Sequence, residues 1–419
     1  MSASNSPSQG LRKLSQAELN LVCAKHDRLW SSKPGGARAA LAWTDLTGLD
    51  LRGRNLCDAD LTGAVLFDCQ MRSARLDHAN LFGADLQCAD LYEASLRRAD
   101  LRGACLRNAN LTGADLFEAD LREGTMAAAD RKEGFRRLEP RTRPGQAQGA
   151  ILAGANLERS RLGGILALKA DFSDAILKDA KLVRANLKQA NMKGANLSGA
   201  DLSGCDLAGA DLQDAVLVGC TTNGWNVSAA NLKGVLTDEP AGLPASSLPY
   251  QQMIQDHARW CETGGAEGKP SVFDGADLRT LKSIGGFDLT ALSAKGAVFY
   301  ALDMQGVQLQ GAHLEGADLR NCNLRRADLR GAKLCGAKLA GAEQQRPHLG
   351  LAQVGGDRIL PCDLTEANLK GADLSMADLR QAILAHADVS RANFPGALLR
   401  QVNATGAVRS GARGLEEVI

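Results

Sequence analysis

A five-residue rhythm runs through most of the chain: a small residue, then Asp or Asn, then Leu, then two variable positions. It stands out at Ala59-Asp60-Leu61, Ala84-Asp85-Leu86, Ala109-Asn110-Leu111, Ala195-Asn196-Leu197, Ala317-Asp318-Leu319 and Ala372-Asp373-Leu374. A period of five fits neither the roughly 3.6 of a helix nor the roughly 2 of a strand, so each unit must be a short extended piece and a corner, stacked as coils. The 419 residues then measure coil number and not a count of globular domains.

The rest of the composition agrees with a thin, filled interior. Aromatic residues are 4% of the chain against 45 glycines, too little bulk for a conventional core but suited to a narrow one lined by Ala and Leu, with no room for a cofactor. Of the 11 cysteines, Cys69, Cys205, Cys220, Cys322 and Cys362 stand where the rhythm has Ala, which reads as small interior filler kept reduced in a cytoplasm. Lys plus Arg total 49 and Asp plus Glu 48, so no global field selects nucleic acid or a basic partner. The polar, Ser-rich start and the lack of any apolar run of about 18 residues predict no membrane contact and a soluble cytoplasmic protein.

Taking Leu as the centre, strict register spans about Leu46 to Met126 and resumes one residue out of phase from Leu152 to Leu232. Irregularities fall at Ala167 and at Trp225, whose indole is expected to force a bulge. A third array runs from about Leu289 to Leu399. Two stretches read as helices. Ser15 and Glu18 make a capping box and Leu14 and Leu19 a hydrophobic staple, ahead of an apolar face of Leu19, Val22, His26 and Leu29 or Trp30. Tyr250 to Glu262 repeats the grammar with Met253, His257 and Trp260 or Cys261, then glycines. The organisation expected is a disordered residues 1–14; a module at 15–237 with a helix at about 15–31, arrays at 46–126 and 152–232 and a basic insertion at 127–149; a linker at 238–249; and a module at 250–419 with a helix at about 250–262, an array at about 272–399 and weak C-terminal coils. Each helix would cover a first coil whose apolar residues and backbone groups water would otherwise reach. The alternative is one continuous rod with residues 238–270 as a loop.

The Ala-(Asp/Asn)-Leu-X-X consensus resembles the pentapeptide repeat family, over about three-quarters of the chain in roughly fifty units. The resemblance implies an all-β fold, a right-handed quadrilateral β-helix with four pentapeptides to a coil and Leu61, Leu86, Leu111, Leu197, Leu319 and Leu374 inside. A leading helix with His and Trp, here His26 with Trp30 and His257 with Trp260, is similar to the element before the repeats in many members. Some members resemble duplex DNA in shape and acidity, bind DNA gyrase and confer quinolone resistance, which needs a strongly negative surface; this chain carries net charge +1. Twenty residues per coil would set Glu158 beside Lys178, Lys181 beside Asp201 and Asp318 beside Lys338, and put Asn186 and Asn191 against Asp206 and Asp211.

Chemistry is sparse. Cys23 with His26, and His257 with Cys261, have a spacing that zinc would accept, but packed histidines and filler cysteines are the preferred reading, so no metal is assigned. His78, His313, His348 and His386 stand singly, and the glycines recur at corners without forming a phosphate loop. No catalytic constellation emerges, so no enzyme and no cofactor are expected. Two stretches leave the rhythm. The first carries Arg131, Lys132, Arg136, Arg137, Arg141 and Arg143 beside Phe135 and Leu138, a docking loop or a solvated insertion. The second is Gln344 to Gly356, where Leu349, Val354 and Ile359 keep the five-residue phase and suggest degenerate coil over loop. Basic coils at Lys178 to Lys193 and Arg320 to Lys338 are secondary candidates. The function expected is a scaffold binding a protein partner through solenoid faces and the basic loop; the alternatives are a gyrase-binding DNA mimic and nucleic-acid binding through residues 131–143. The coils after Phe394 lose their Leu centres, so they either fray as a cap or pair in a homodimer.

Overall fold

In the computed structural model the described residues are 11–129, 138–240, 249–343, 346–350, 352–353 and 359–415. The chain divides into two compact units, Met1–Asp238 and Glu239–Ile419. Each is a stack of coils held by one-residue parallel bridges.

In unit 1 the bridges join residues 20 apart, from Ala40 with Asp60 to Val216 with Leu236. Four five-residue units therefore make one turn, and the stack is a β-helix solenoid. Leu61 N donates to the Asn80 carbonyl at 2.8 Å and Leu86 N to the Cys105 carbonyl at 2.7 Å, so the centre of each pentapeptide is also the rung. The turn that follows is closed by an N–H three residues on, as Ala59 N to the Leu56 carbonyl at 3.1 Å. Its third residue has positive φ, 58° at Asp58 and 63° at Gly53, the requirement of a type II turn. This explains the recurring corner glycines: only Gly enters that region without strain.

The Asp or Asn before each centre has a fixed task as well. Asp60 Oδ1 accepts from Thr62 N at 3.1 Å and Asn110 Oδ1 from Thr112 N at 3.2 Å, the same bond two residues on that recurs along both units. A short acceptor side chain is what that bond selects. Where Asn follows Asp one coil later, the amide donates to the carboxylate, as Asn191 Nδ2 to Asp171 at 2.9 Å. Asn186 and Asn191 are rung partners of Asp206 and Asp211.

The interior is Ala and Leu. Leu61, Leu86, Leu111, Leu197, Leu319 and Leu374 are fully buried. Burying one Leu is worth about 1.5–3 kcal/mol against roughly 1–2 kcal/mol of backbone ordering per residue, so single coils fail and stacks hold. Cys69, Cys205, Cys220 and Cys322 each point a thiol at the carbonyl 23 residues earlier, for example Cys205 Sγ to Leu182 O at 2.8 Å. Burial pushes the Cys69 and Cys205 thiols up to about 12, so they are inert filler.

Several expectations need correction. Neither Ala167 nor Trp225 disturbs the ladder, since Leu166 bridges Asn186 and Asp206 bridges Asn226, each 20 on. Ala167 is fully buried, a small centre without a shift, and Trp225 lies half-buried in the last coil of unit 1, where no further coil crowds it. The insertion of unit 1 also begins before residue 127 and ends before residue 149. Strands β3 (Gly124–Ala129) and β4 (Leu138–Arg143) form an antiparallel hairpin, and the ladder resumes at Gln146, which bridges Cys105 across 41 positions instead of 20. The expected opposite-charge neighbours 20 apart hold, since Lys181 bridges Asp201 and Asp318 bridges Lys338, but a second pairing within one pentapeptide joins them: Arg52, Arg102, Arg122, Arg330 and Arg380 meet the Asp two residues before at 2.6–2.7 Å. The turn bond has already brought each carboxylate over the residue two on, so a guanidinium there is nearest.

Unit 2 runs on the same register from Val272 to Arg413, with one extra residue between Asp277 and Ser283. Its irregular stretch is coil only to Leu349, which is fully buried. Strands β5 (Ala352–Gln353) and β6 (Ile359–Leu360) then form a small hairpin, Ile359 is 58% exposed, and Lys333 bridges Asp363 across 30 positions. The degenerate-coil expectation therefore fails for Ile359, while Val354 lies outside the described residues.

Candidate functional site

Each unit opens with a helix fixed to its first coils by polar latches. Helix α1 (Gln16–Trp30) begins at Ser15, whose hydroxyl accepts from Glu18 N at 3.3 Å while the Glu18 carboxylate takes Ser15 N at 2.8 Å. Two strands of two residues, β1 (Arg12–Lys13) and β2 (Thr44–Asp45), pair ahead of it and behind it. The Gln16 amide bonds both backbone groups of Asp50, at 2.9 and 2.8 Å, standing in for a missing coil. Leu19, Cys23 and His26 form the buried face. Leu29 and Trp30 do not join them and stay 47% exposed, since the chain turns back over Leu29, where Gly36 has no space for a Cβ.

Helix α2 (Tyr250–Glu262) buries Tyr250, Ile254, His257 and Ala258, with Met253, Trp260 and Cys261 half-buried. The two histidines do the same work. His26 Nδ1 accepts from Ala39 N at 3.1 Å and His257 Nδ1 from Ser271 N at 3.0 Å. His257 Nε2 faces the Thr290 carbonyl at 3.1 Å, so both ring nitrogens are committed in the neutral form, and burial lowers its pKa. Trp30 and Trp260 rest against these rings at 6.5 and 5.8 Å between centroids. Among the described residues no group of three or more His, Cys, Asp or Glu is arranged to hold a metal.

The hairpin of unit 1 rises from a closely fitted base. A Cβ on Gly124 would meet the Arg102 carbonyl oxygen at 2.9 Å and the Phe82 ring at 3.0 Å, and one on Gly145 would collide with Leu121 O. Register pairs Gly124 with Arg143 and Ala129 with Leu138. Of the basic residues expected to act together, Arg143 is exposed at the hairpin base, and Arg141 pairs its backbone with Met126. Arg131, Lys132, Arg136 and Arg137 lie outside the described residues. Arg143 borders an open groove of about 450 Å³ along the column of Gly63, Gly83 and Gly103, closed at its far end by Trp43, which lies across Gly63 and is 51% exposed.

The flanking faces carry little net charge. Arg97 pairs with Asp115 at 2.6 Å and sits over the Phe117 ring at 4.5 Å, and Arg102 pairs with Asp100 while covering Phe82 at 5.3 Å. The Arg52 guanidinium beside Asp50 holds that carboxyl down to about 2. The sequence missed these arginine–aromatic stacks, although Phe82 with Arg102, 20 apart, and Tyr92 with Arg72, 20 apart, were readable once the coil length was known.

A family model described as pentapeptide repeats matches in 8 copies, over residues 44–83, 74–113, 94–130, 150–189, 190–234, 303–341 and 362–413, more than half of the chain. No curated protein sequence matches it. Among solved structures, HetL, involved in heterocyst differentiation regulation in the cyanobacterium Nostoc sp. strain PCC 7120, is 23% identical over 91% of this chain and 94% of its own, with a TM-score of 0.19. Rfr23 from the cyanobacterium Cyanothece 51142 is 28% identical over 32% of this chain and 86% of its own, at 0.23. QnrB1, a plasmid-mediated fluoroquinolone resistance protein, is 20% identical over 47% of this chain and 84% of its own, also at 0.23. Superpositions at these scores carry no argument, and the assignment rests on the repeats themselves.

Proposed function

The chain belongs to the pentapeptide repeat family, a family of right-handed β-helix solenoids, and from that premise we propose that it is a non-enzymatic scaffold binding a protein partner through its solenoid faces and the basic hairpin of unit 1. The observation that carries this reading is the hairpin's independence of the framework. Bridges on either side of β3 and β4 keep the common rung, and 124–144 is the 21-residue surplus in the 41-residue step. A framework that does not need an insertion leaves it free for recognition. Family membership supports a structural or interaction role.

The finer architecture is part of the proposal. Four-sided coils, one pentapeptide to a side, are supported by the 20-residue rung and by positive φ at every fifth residue. Two modules at 15–237 and 250–419, each capped by its leading helix, are supported by the matching His26 and His257 latches. A reducing cytoplasm is supported by 11 free cysteines. Among the described residues no helix is long and apolar enough to cross a membrane. A homodimer through the C-terminal coils is supported by Leu398 and Val408, each 51% exposed on the last coils of unit 2. Light scattering on the full chain and on a truncation after Gln401 checks it, with the mass expected to fall to a monomer.

The DNA-mimic reading gains nothing from the faces, because the arginine two residues after many aspartates cancels the acidity such mimicry needs. Replacing Arg131, Arg136, Arg137, Arg141 and Arg143 together with Gln tests the main proposal by affinity capture from host lysate. Loss of the partner is expected, and capture equal to the unaltered chain rejects the hairpin's role. Nucleic acid in place of protein would show as binding that weakens steeply with salt.

A further inference from the structure

In one corner column of unit 1 the arginines are compensated. Arg98 and Arg159 occupy the fifth position of their pentapeptides in alternate coils, and Glu118 lies between them, at 2.7 and 3.8 Å. In unit 2 the equivalent corner column reads Arg326, Arg346 and Met376. Arg326 and Arg346 fall in successive coils, whose backbones in β stacking run about 4.8 Å apart. Neither guanidinium has an ion pair or hydrogen bond among the described residues. Arg325 points to the same side, held at its rim by Glu343 at 2.9 Å.

The three arginines line an open pocket of about 470 Å³ with Gln305, Ser375 and the 54%-exposed Met376. No acidic residue is among these lining groups. Like charges stacked across a ladder destabilise it unless a counter-charge lies between them. Guanidiniums present planar forks that fit a tetrahedral oxyanion by paired N–H bonds, and the pocket has an amide for further hydrogen bonding and a thioether as apolar wall. The Ser375 hydroxyl is committed to Asp373 and accepts from Asn393 at 3.2 Å, so it borders the pocket without adding a donor.

We propose that Arg325, Arg326 and Arg346 form a binding site for a phosphate monoester, with Met376 against its organic group. This site is separate from the unit 1 hairpin and stands whether or not that hairpin recognises a protein.

The test is calorimetric titration of the full chain with inorganic phosphate and with phenyl phosphate at low salt. Both are expected to bind saturably, phenyl phosphate severalfold more tightly, and both to weaken as salt rises. R326Q/R346Q is expected to lose about tenfold or more in affinity, while R98Q/R159Q leaves it unchanged. E343Q, which frees Arg325, is expected to tighten binding, and it keeps the proposal exposed to failure should the double variant melt early. No saturable binding by the unaltered chain, equal loss in both double variants, or no gain in E343Q would each overturn the site. Equal affinity for the two probes would overturn the role of Met376.

Discussion

One corner column in unit 1 and one in unit 2 treat charge in opposite ways. In that column of unit 1 the signs alternate, Arg98, Glu118, Arg159; in that of unit 2 two arginines follow one another and a methionine comes next. The framework beneath and the corner position are the same, so the difference lies in what the neighbouring coil supplies, Glu118 in unit 1 and a second arginine in unit 2. An arginine directly after the Leu is two residues from the turn-bonded carboxylate and meets it, as Arg102 meets Asp100 and Arg330 meets Asp328. An arginine at the corner lies one residue further and depends on the coil above or below. Arg326 also follows Asn323, which takes the turn bond without a charge. Local sequence neutralises one position and leaves the other to be set coil by coil.

The largest effect tests what the columns share. Leu197→Asp in unit 1 and Leu319→Asp in unit 2 bury a charge with no partner and should each cost about 4 kcal/mol or more, abolishing the melting transition of the altered unit. A melt unchanged by either would break the common-framework half of the comparison. Next in size is the hairpin base. Gly124→Val must push against the Arg102 carbonyl and Phe82, at about 1–3 kcal/mol. The same change at Gly53, where no atom lies within 4 Å, meets only the backbone strain of positive φ.

The helix latch of unit 2 is pH-dependent. His257 has a folded pKa below its ordinary 6.5, so the unfolded chain binds the proton first as pH falls. Its contribution is whole above pH 6.5 and is lost progressively below it, toward the folded pKa. A melt of unit 2 at pH 7.5 and pH 5 should show the loss, and His257→Gln, which cannot titrate, should remove that part of the difference. A pH dependence unchanged by the substitution would detach it from the latch. The smallest effects are at the corners themselves. Glu118→Gln leaves Arg98 uncompensated and Arg159 with Glu158 alone at 3.8 Å, while Arg346→Glu puts an acid between Arg326 and Met376 in unit 2. Each should move stability by only about 0–1 kcal/mol, in opposite directions, visible as a small shift in melting temperature.

How much of this was legible follows from which interactions are local. The five-residue rhythm exposed the coil, the Ala-slot cysteines and both helices, because each is set by residues a few positions apart. The hairpins were not, for different reasons. Gly124-Thr125-Met126-Ala127-Ala128-Ala129 has no strand alternation, and Met126 happens to fall on the five-residue phase. Leu349 and Ile359 share that phase too, yet one is a core centre and the other faces solvent, and periodicity cannot separate them. The Asp–Arg pairing was missed because it needs the turn geometry, and the exposed Trp30 because it depends on Gly36 crossing α1. Of the candidate site, the basic composition was readable; its hairpin scaffold was hidden by the missing alternation, and the unit 2 pocket required coil stacking to bring Arg326 and Arg346, 20 apart, together.

The central claim is that the framework and the recognition surface are separable. Deleting residues 124–144 joins Glu123 to Gly145 in unbroken five-residue register and tests it most directly, with the melt and the partner capture read on the same preparation. The account predicts an unchanged melting transition for unit 1 and a lost partner. A deletion that melts as before and still captures the partner would contradict it.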